Sequence, residues 1–262
     1  MMIDTMDSIE QQKERAFALV IRAGELLLQS GAEISRVEET MKHMADALKI
    51  YSLETYIIAN GIFATAEGDW HMLRAQIKHV HTGDTDLGKI EAVNRLSREL
   101  ERKLCTLDEA EGRIKEIEKM GDYPVYILLP AYLIGAGCFC YVLGGSGRDA
   151  LVSASVGFTL GIFFMFLGMF ENITLSKAIK TILGSMLVTA FSIVLYLHGN
   201  GDALNRIIVG GLMPMIPGVA FSSAIRDFVE NDYISGMVRL TDVLLILVSM
   251  AVGVSVVWYL YL

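Results

Sequence analysis

Cysteine, proline and tryptophan are scarce in this chain of 262 residues, which holds 3, 4 and 2 of them. Three cysteines cannot build a disulfide framework. Cys138 and Cys140 fall in an apolar run and Cys105 in a charged helix, which suits small packing thiols better than a metal or redox centre. Charge is thin as well, at 20% of residues against about 25% in a soluble domain. Acidic residues outnumber basic ones by 30 to 22. That balance argues against nucleic acid as a partner, because phosphate binding needs clustered Lys/Arg. The sequence carries no P-loop, so no ATP site is visible. No Ser/His/Asp or Cys/His set suggests an enzyme, and no cofactor is implied. Met1 to Gln12 is polar and acidic, so no cleavable signal peptide is expected and the first apolar helix must direct insertion.

What the chain has instead is apolar length, unevenly placed. Hydrophobic residues make up 53% and the mean hydropathy is +0.46. Up to Asp122 there are 16 Lys/Arg and 23 Asp/Glu; from Tyr123 onward there are 6 and 7. The first half is written for water and the second for hydrocarbon. Residues 1–122 are therefore expected to form an α+β cytoplasmic domain. Residues 123–262 are expected to form an all-α transmembrane bundle of about five helices.

In the first half, apolar residues at helical spacing predict a helix over Asp7 to Ser30, ended by Gly31, and a second over Glu33 to Leu48. Tyr51–Ala59, Ile62–Glu67 and His71–His81 are short β-rich runs separated by Asn60-Gly61 and Gly68-Asp69, which is hairpin chemistry. Asp86 opens a third helix. Thr106 with Glu109 forms a capping-box pattern for a fourth, ending near Met120-Gly121. His79 and His81 share one strand face at metal-ligand reach, but nothing completes a site, so an exposed strand face is the expectation. Glu33, Arg36 and Glu38 read as an ion-pair face, or as a gating contact with the second half.

The second half contains five apolar stretches, near 125–143, 151–170, 182–197, 207–225 and 243–262. Each is close to the ~20 residues that cross a bilayer core. Lys/Arg placement sets the orientation. With the N-terminal domain inside, Lys177, Lys180, Arg226 and Arg239 are cytoplasmic, while Arg148 and Arg206 are outside. Tyr123, Tyr126, Trp258, Tyr259 and Tyr261 fit interfacial anchors. Gly157 and Gly161 make a small-xxx-small helix-packing pair. Glu171 and Asn172 read as loop residues.

The fourth stretch contains Gly210-Gly211-Leu212-Met213-Pro214-Met215-Ile216-Pro217-Gly218. Proline removes a backbone donor and clashes with the preceding turn, so the helix must kink or break. Broken helices recur at substrate sites of transporters, although Gly210 and Gly211 also fit a packing kink. Ser222, Ser223, Arg226 and Asp227 follow at the cytoplasmic edge. Arg226 is suited to a carboxylate and Asp227 to fixing it or accepting a proton; an interfacial anchor pair is the alternative. Pro214, Pro217, Gly218, Ser222, Ser223, Arg226 and Asp227 are thus candidates for a substrate route. Asp232, Asp242, Glu33 and Arg36 are candidates for coupling or gating, Asp242 equally for capping the last span.

The run from Pro217 to Asp227, followed by Asp232-Tyr233-Ile234-Ser235-Gly236, resembles the signature of the threonine/serine exporter (ThrE) family. Gly31 through Met41, Gly61-Ile62-Phe63-Ala64-Thr65 and Glu91-Ala92-Val93-Asn94-Arg95-Leu96 resemble its earlier motifs, so the likeness covers nearly the whole chain. Ser223 stands where many relatives carry Asn, which puts a hydroxyl in place of an amide. The chain stops at Leu262, whereas full-length exporters continue into another membrane half. It therefore resembles the larger subunit of the split, two-gene type. The resemblance implies a secondary-active exporter subunit in the bacterial cell membrane, oligomeric, with a second, smaller membrane subunit as partner. It implies threonine and serine as substrates, or a dicarboxylate such as succinate. A membrane-anchored metabolite sensor is the reading from another class.

Overall fold

The computed structural model describes all residues except 1, 51, 68–72, 81–82, 84, 122, 170–174 and 262, and describes the backbone alone at 2–10, 67, 73 and 74. His81, Glu171 and Asn172 lie outside the described residues. The chain is mostly helical with one small sheet: α1 (Met2–Gln29), α2 (Ile34–Ala47), β1 (Glu54–Ile58), β2 (Gly61–Glu67), β3 (Leu73–His79), α3 (Leu87–Glu101), α4 (Leu107–Glu118), α5 (Val125–Val142), α6 (Gly147–Met169), α7 (Lys177–Leu197), α8 (Leu204–Leu212), a 3-10 turn (Met213–Met215), α9 (Gly218–Val229) and α10 (Tyr233–Tyr261). It divides into two compact units, Met1–Gly121 with Val219–Leu240, and Asp122–Gly218 with Thr241–Leu262.

The first unit is organised on α1, whose Val20, Ile21, Leu27 and Leu28 are almost fully buried. Against them pack Val37, Met41 and Met44 of α2, Val93 and Leu96 of α3, and Ile114 of α4. The strands form an antiparallel meander, β1-β2-β3, with Tyr56 opposite Phe63 and Phe63 opposite Ile77. Period-two alternation sends Ile57, Ile62 and Ala64 into the core and leaves Tyr56, Phe63 and Ile77 exposed. Helix starts follow their caps. The Asp86 side chain accepts from Lys89 N–H at the head of α3, and Thr106 with Glu109 closes the expected capping box on α4.

α1 ends in a Schellman turn. Gly31 N–H donates to Leu28 O at 3.1 Å and Ala32 N–H to Leu27 O at 3.0 Å, with Gly31 at φ +77°. A side chain there would be strained. The turn leaves the Gly31 and Ala32 carbonyls facing outward, to be met by another element.

After residue 122, α5, α6, α7 and α10 are each long and apolar enough to cross a membrane; α8 and α9 pass the same test only together, as a broken pair. The helices overrun the apolar windows read from sequence. α6 starts at Gly147, α7 at Lys177 and α10 at Tyr233. Hydropathy reports where water stops, whereas a helix starts where its cap lies. The Ser176 side chain accepts from Ile179 N–H and caps α7. Asp242 lies exposed inside α10 and caps nothing.

Close packing is set by small residues. A Cβ on Gly157 would stand 2.4 Å from Ala136 Cβ and 2.5 Å from Tyr132 O, so α5 and α6 touch backbone to backbone as the Gly157/Gly161 spacing predicts. α8 is wedged in the same way. A Cβ on Gly210 would meet Ser153 Oγ at 2.5 Å, and one on Gly211 would meet Val156 at 2.8 Å and Val188 at 3.0 Å. One carboxylate fixes the start of two helices. Asp149 Oδ2 accepts from Ser146 N–H at 2.9 Å and Ser146 Oγ accepts from Asp149 N–H at 3.2 Å, a reciprocal cap on α6. Asp149 Oδ1 accepts from the N–H groups of Asp202 (2.6 Å) and Ala203 (3.0 Å), where α8 begins without a cap of its own.

Gly157→Ala is expected to overpack the α5–α6 contact by about 1–3 kcal/mol and to lower the melting temperature in detergent. Gly168→Ala, where nothing lies within 4 Å, leaves it unchanged. Asp149→Ala should release the Asp202 and Ala203 amides together, seen as faster hydrogen exchange at the start of α8 than in α7.

Candidate functional site

The prolines do what their chemistry dictates. α8 stops at Leu212, Pro214 sits at the start of the 3-10 turn, and Ile216 before Pro217 is extended, at φ −70° and ψ 124°. α9 restarts at Gly218, a position open enough that an added Cβ would meet nothing within 4 Å. The interruption and the packing glycines therefore coexist: Gly210 and Gly211 seat the helix before the break, and the proline pair makes it.

α9 and the first turns of α10 belong to the first unit, and there the polar residues of the signature separate into two ion pairs. Arg239 of α10 is buried. Its guanidinium donates to Ala32 O at 2.6 Å and to Gly31 O at 3.3 Å, filling the carbonyls that the Schellman turn leaves outward. Its Nε lies 3.1 Å from Asp227 Oδ2, the two side chains being 7% and 1% exposed. Among the described residues, neither Asp227 oxygen nor Arg239 Nε has a well-aligned hydrogen bond, and the buried Ser235 Oγ, one helical turn before Arg239, has no partner either. Charge attraction in a dry setting holds this pair.

The second pair joins neighbouring residues on the same elements and has the opposite character. Arg226 Nη1 donates to Glu33 Oε2 at 2.7 Å, with side chains 54% and 20% exposed. Glu33 occupies the N-cap position of α2 but its side chain caps nothing there. Water screens such a pair, and its worth is about 0–1 kcal/mol. The expected ion-pair face on α2 is thus replaced: Glu33 reaches across to α9, and Arg36 is exposed.

The turn between α9 and α10 explains the second half of the signature. Asn231 is left-handed at φ 67°, the Asp232 carboxylate accepts from Ser235 N–H at 3.4 Å as a cap, and Gly236 lets α10 approach Phe228 and Ala224 O. Ser222 is exposed and donates to Val219 O at 2.9 Å within its own helix. Ser223 is buried. The structure thus joins Glu33, Arg226, Asp227 and Asp232 around one turn. Arg239, Ser235 and the two carbonyls were not singled out in the sequence; an arginine twelve residues beyond an aspartate gives no local signal of pairing. Among the described residues no cluster of His, Cys, Asp and Glu could hold a metal ion. Apart from this site, a groove of about 520 Å³ runs between α3 and α4, lined by Arg95, Leu96, Glu99 and Arg113 among others.

Removing one member of the buried pair leaves a bare charge. Asp227→Ala is expected to cost about 3–5 kcal/mol. Asp227→Ala with Arg239→Met should recover most of it, measured by unfolding of the detergent-solubilised chain as a double-mutant cycle.

Known proteins resemble the chain over nearly its whole length. The family described as "Putative threonine/serine exporter" (ThrE) matches residues 18–261. A Klebsiella aerogenes protein named "Probable succinate transporter subunit YjjP" is 23% identical over 250 residues, covering 95% of both chains. Its Escherichia coli K12 namesake is 24% identical over 246 residues, covering 93% of this chain and 94% of its own. The "Threonine/serine exporter" of Corynebacterium glutamicum is 24% identical over 246 residues, 90% of this chain but 49% of that protein, so the chain spans about half its length. No solved structure matches. With the family matched from α1 to the last turn of α10, this chain belongs to the threonine/serine exporter (ThrE) family.

Proposed function

We propose that the chain is the larger subunit of a split, secondary-active exporter in the bacterial cytoplasmic membrane, with the α+β unit facing the cytoplasm. The observation that carries this reading is the proline-broken α8–α9 pair, leading straight into a helix that presents an exposed arginine. Irregular backbone at membrane depth is tolerated only where protein, water or ligand satisfies it, and broken helices recur at transporter binding sites. An anchor has no need of such a break. Lys/Arg placement supports the orientation. The "subunit" in the names of the relatives that match this chain end to end supports a second membrane protein as partner. So does the double length of the Corynebacterium exporter.

In this reading Pro214, Pro217 and Gly218 open the route, and Ser222, Ser223 and Arg226 line its cytoplasmic side. Arg226 engages the substrate carboxylate through a charge-assisted contact. Asp227 with Arg239 fixes the end of α9 beside it, and Asp232 holds the turn into α10. Threonine and serine are the first substrates, from the family; a dicarboxylate such as succinate is favoured equally by the names of the full-length relatives. Both present the carboxylate that Arg226 would hold.

The test is efflux from proteoliposomes carrying the full chain and its small membrane subunit. Arg226→Gln should reduce efflux of labelled threonine or succinate by roughly 10- to 100-fold, the worth of one charge-assisted contact, while the protein remains in the membrane. Unchanged efflux would remove Arg226 from the route. If the wild type moved neither solute yet bound one in the α3–α4 groove, the chain would be a membrane-anchored sensor.

A further inference from the structure

The two ion pairs at this turn differ in a way that assigns them different work. Both reach from the α9–α10 region to the three residues Gly31, Ala32 and Glu33. The Arg239 pair is buried, held by two backbone carbonyls as well as a carboxylate, and has no route to exchange with solvent. The Arg226 pair is open to water on the arginine side. Arginine presents a planar fork of N–H donors able to grip a carboxylate with two parallel bonds. Among the described residues, Arg226 uses one nitrogen of that fork, on a single Glu33 oxygen. Among the described residues the Glu33 side chain makes no other hydrogen bond, since it stands at the head of α2 without capping it.

We propose that Glu33 is a tethered competitor for the substrate carboxylate at Arg226, and so raises the substrate concentration at which the exporter is half-saturated. This rests on the reading of Arg226 given above. The exchange conserves charge: one carboxylate leaves the guanidinium as another arrives, and the arginine stays protonated throughout. Because the competitor belongs to the same chain, it acts as if present at a fixed, high effective concentration, in the millimolar range for a short tether. A free carboxylate displaces it only when abundant. For a pair this exposed the competition raises the concentration needed for half-saturation severalfold. The fixed Arg239 pair keeps α9 in register with the Gly31–Glu33 turn, so that Arg226 and Glu33 find each other again when the substrate departs. A solute without a carboxylate has nothing to displace Glu33 with and is excluded.

The experiment compares concentration dependence in the same proteoliposomes, with binding of L-threonine and of succinate to the purified full chain measured by calorimetry. Glu33→Gln and Glu33→Ala should lower the half-saturating concentration and the dissociation constant roughly two- to fivefold, the worth of an exposed pair, with little change in maximal rate. Glu38→Gln removes the same charge from an exposed position on α2 and should change neither value. Binding of threonine amide, which lacks the carboxylate, should be equally weak in wild type and in Glu33→Gln. Unaltered half-saturation and affinity in both Glu33 variants, with export still lost in Arg226→Gln, would overturn the competitor while leaving Arg226 as the substrate contact. Full export in Arg226→Gln would overturn both.

Discussion

An arginine cannot shed its proton, so burying one obliges the fold to surround it with acceptors. Arg239 is that obligation in this chain. Two of its acceptors are main-chain carbonyls, available only because α1 ends in a left-handed glycine that turns them outward. Its counter-charge is the Asp227 carboxylate, on the helix that follows the proline break and ends in the turn at Asn231 and Asp232. Residues more than 200 positions apart are thereby made to agree. The glycine of one motif, the aspartate of another and an arginine outside both serve a single electrostatic demand.

The contrast between adjacent residues 226 and 227 is a matter of solvent rather than of residue type. On a helix, neighbours in sequence point about 100° apart, so one enters the interior while the next faces water. The same guanidinium–carboxylate chemistry then gives a strut in one case and an exchangeable latch in the other. Low dielectric on one side and water on the other separate permanence from responsiveness within one helical turn.

Much of this was legible in the sequence. The Asn60-Gly61 hairpin turn, the capping box at Thr106, the glycine stop at Gly31, the small-residue seam at Gly157 and the interruption at Pro214 and Pro217 are local chemistry, and local chemistry survives into the fold; the Gly68-Asp69 turn lies outside the described residues. Helix limits were less legible, because hydropathy marks the solvent boundary while Ser176, Ser146 and Asp232 mark the helix starts. The site was half visible. Arg226, Asp227 and Glu33 stood out by type and place, but Arg239 did not, and neither pairing was foreseen. Pairing across the chain depends on how a turn presents its carbonyls and on which face of α10 is buried, neither of which leaves a short-range trace. Glu33 was read either as part of a local face with Arg36 and Glu38 or as a contact with the second half of the chain, and the tertiary contact with Arg226 is the one the structure shows.

The shared carboxylate of Asp149 has a consequence for how the molecule is made. A ribosome releases α5 and α6 well before α8, and α8 is nine residues long with no side-chain cap at its head. The two amides that lead into it, of Asp202 and Ala203, meet an acceptor carried by the earlier α5–α6 hairpin. Synthesis order and packing order therefore agree: the carboxylate that receives the Asp202 and Ala203 amides is made before they are.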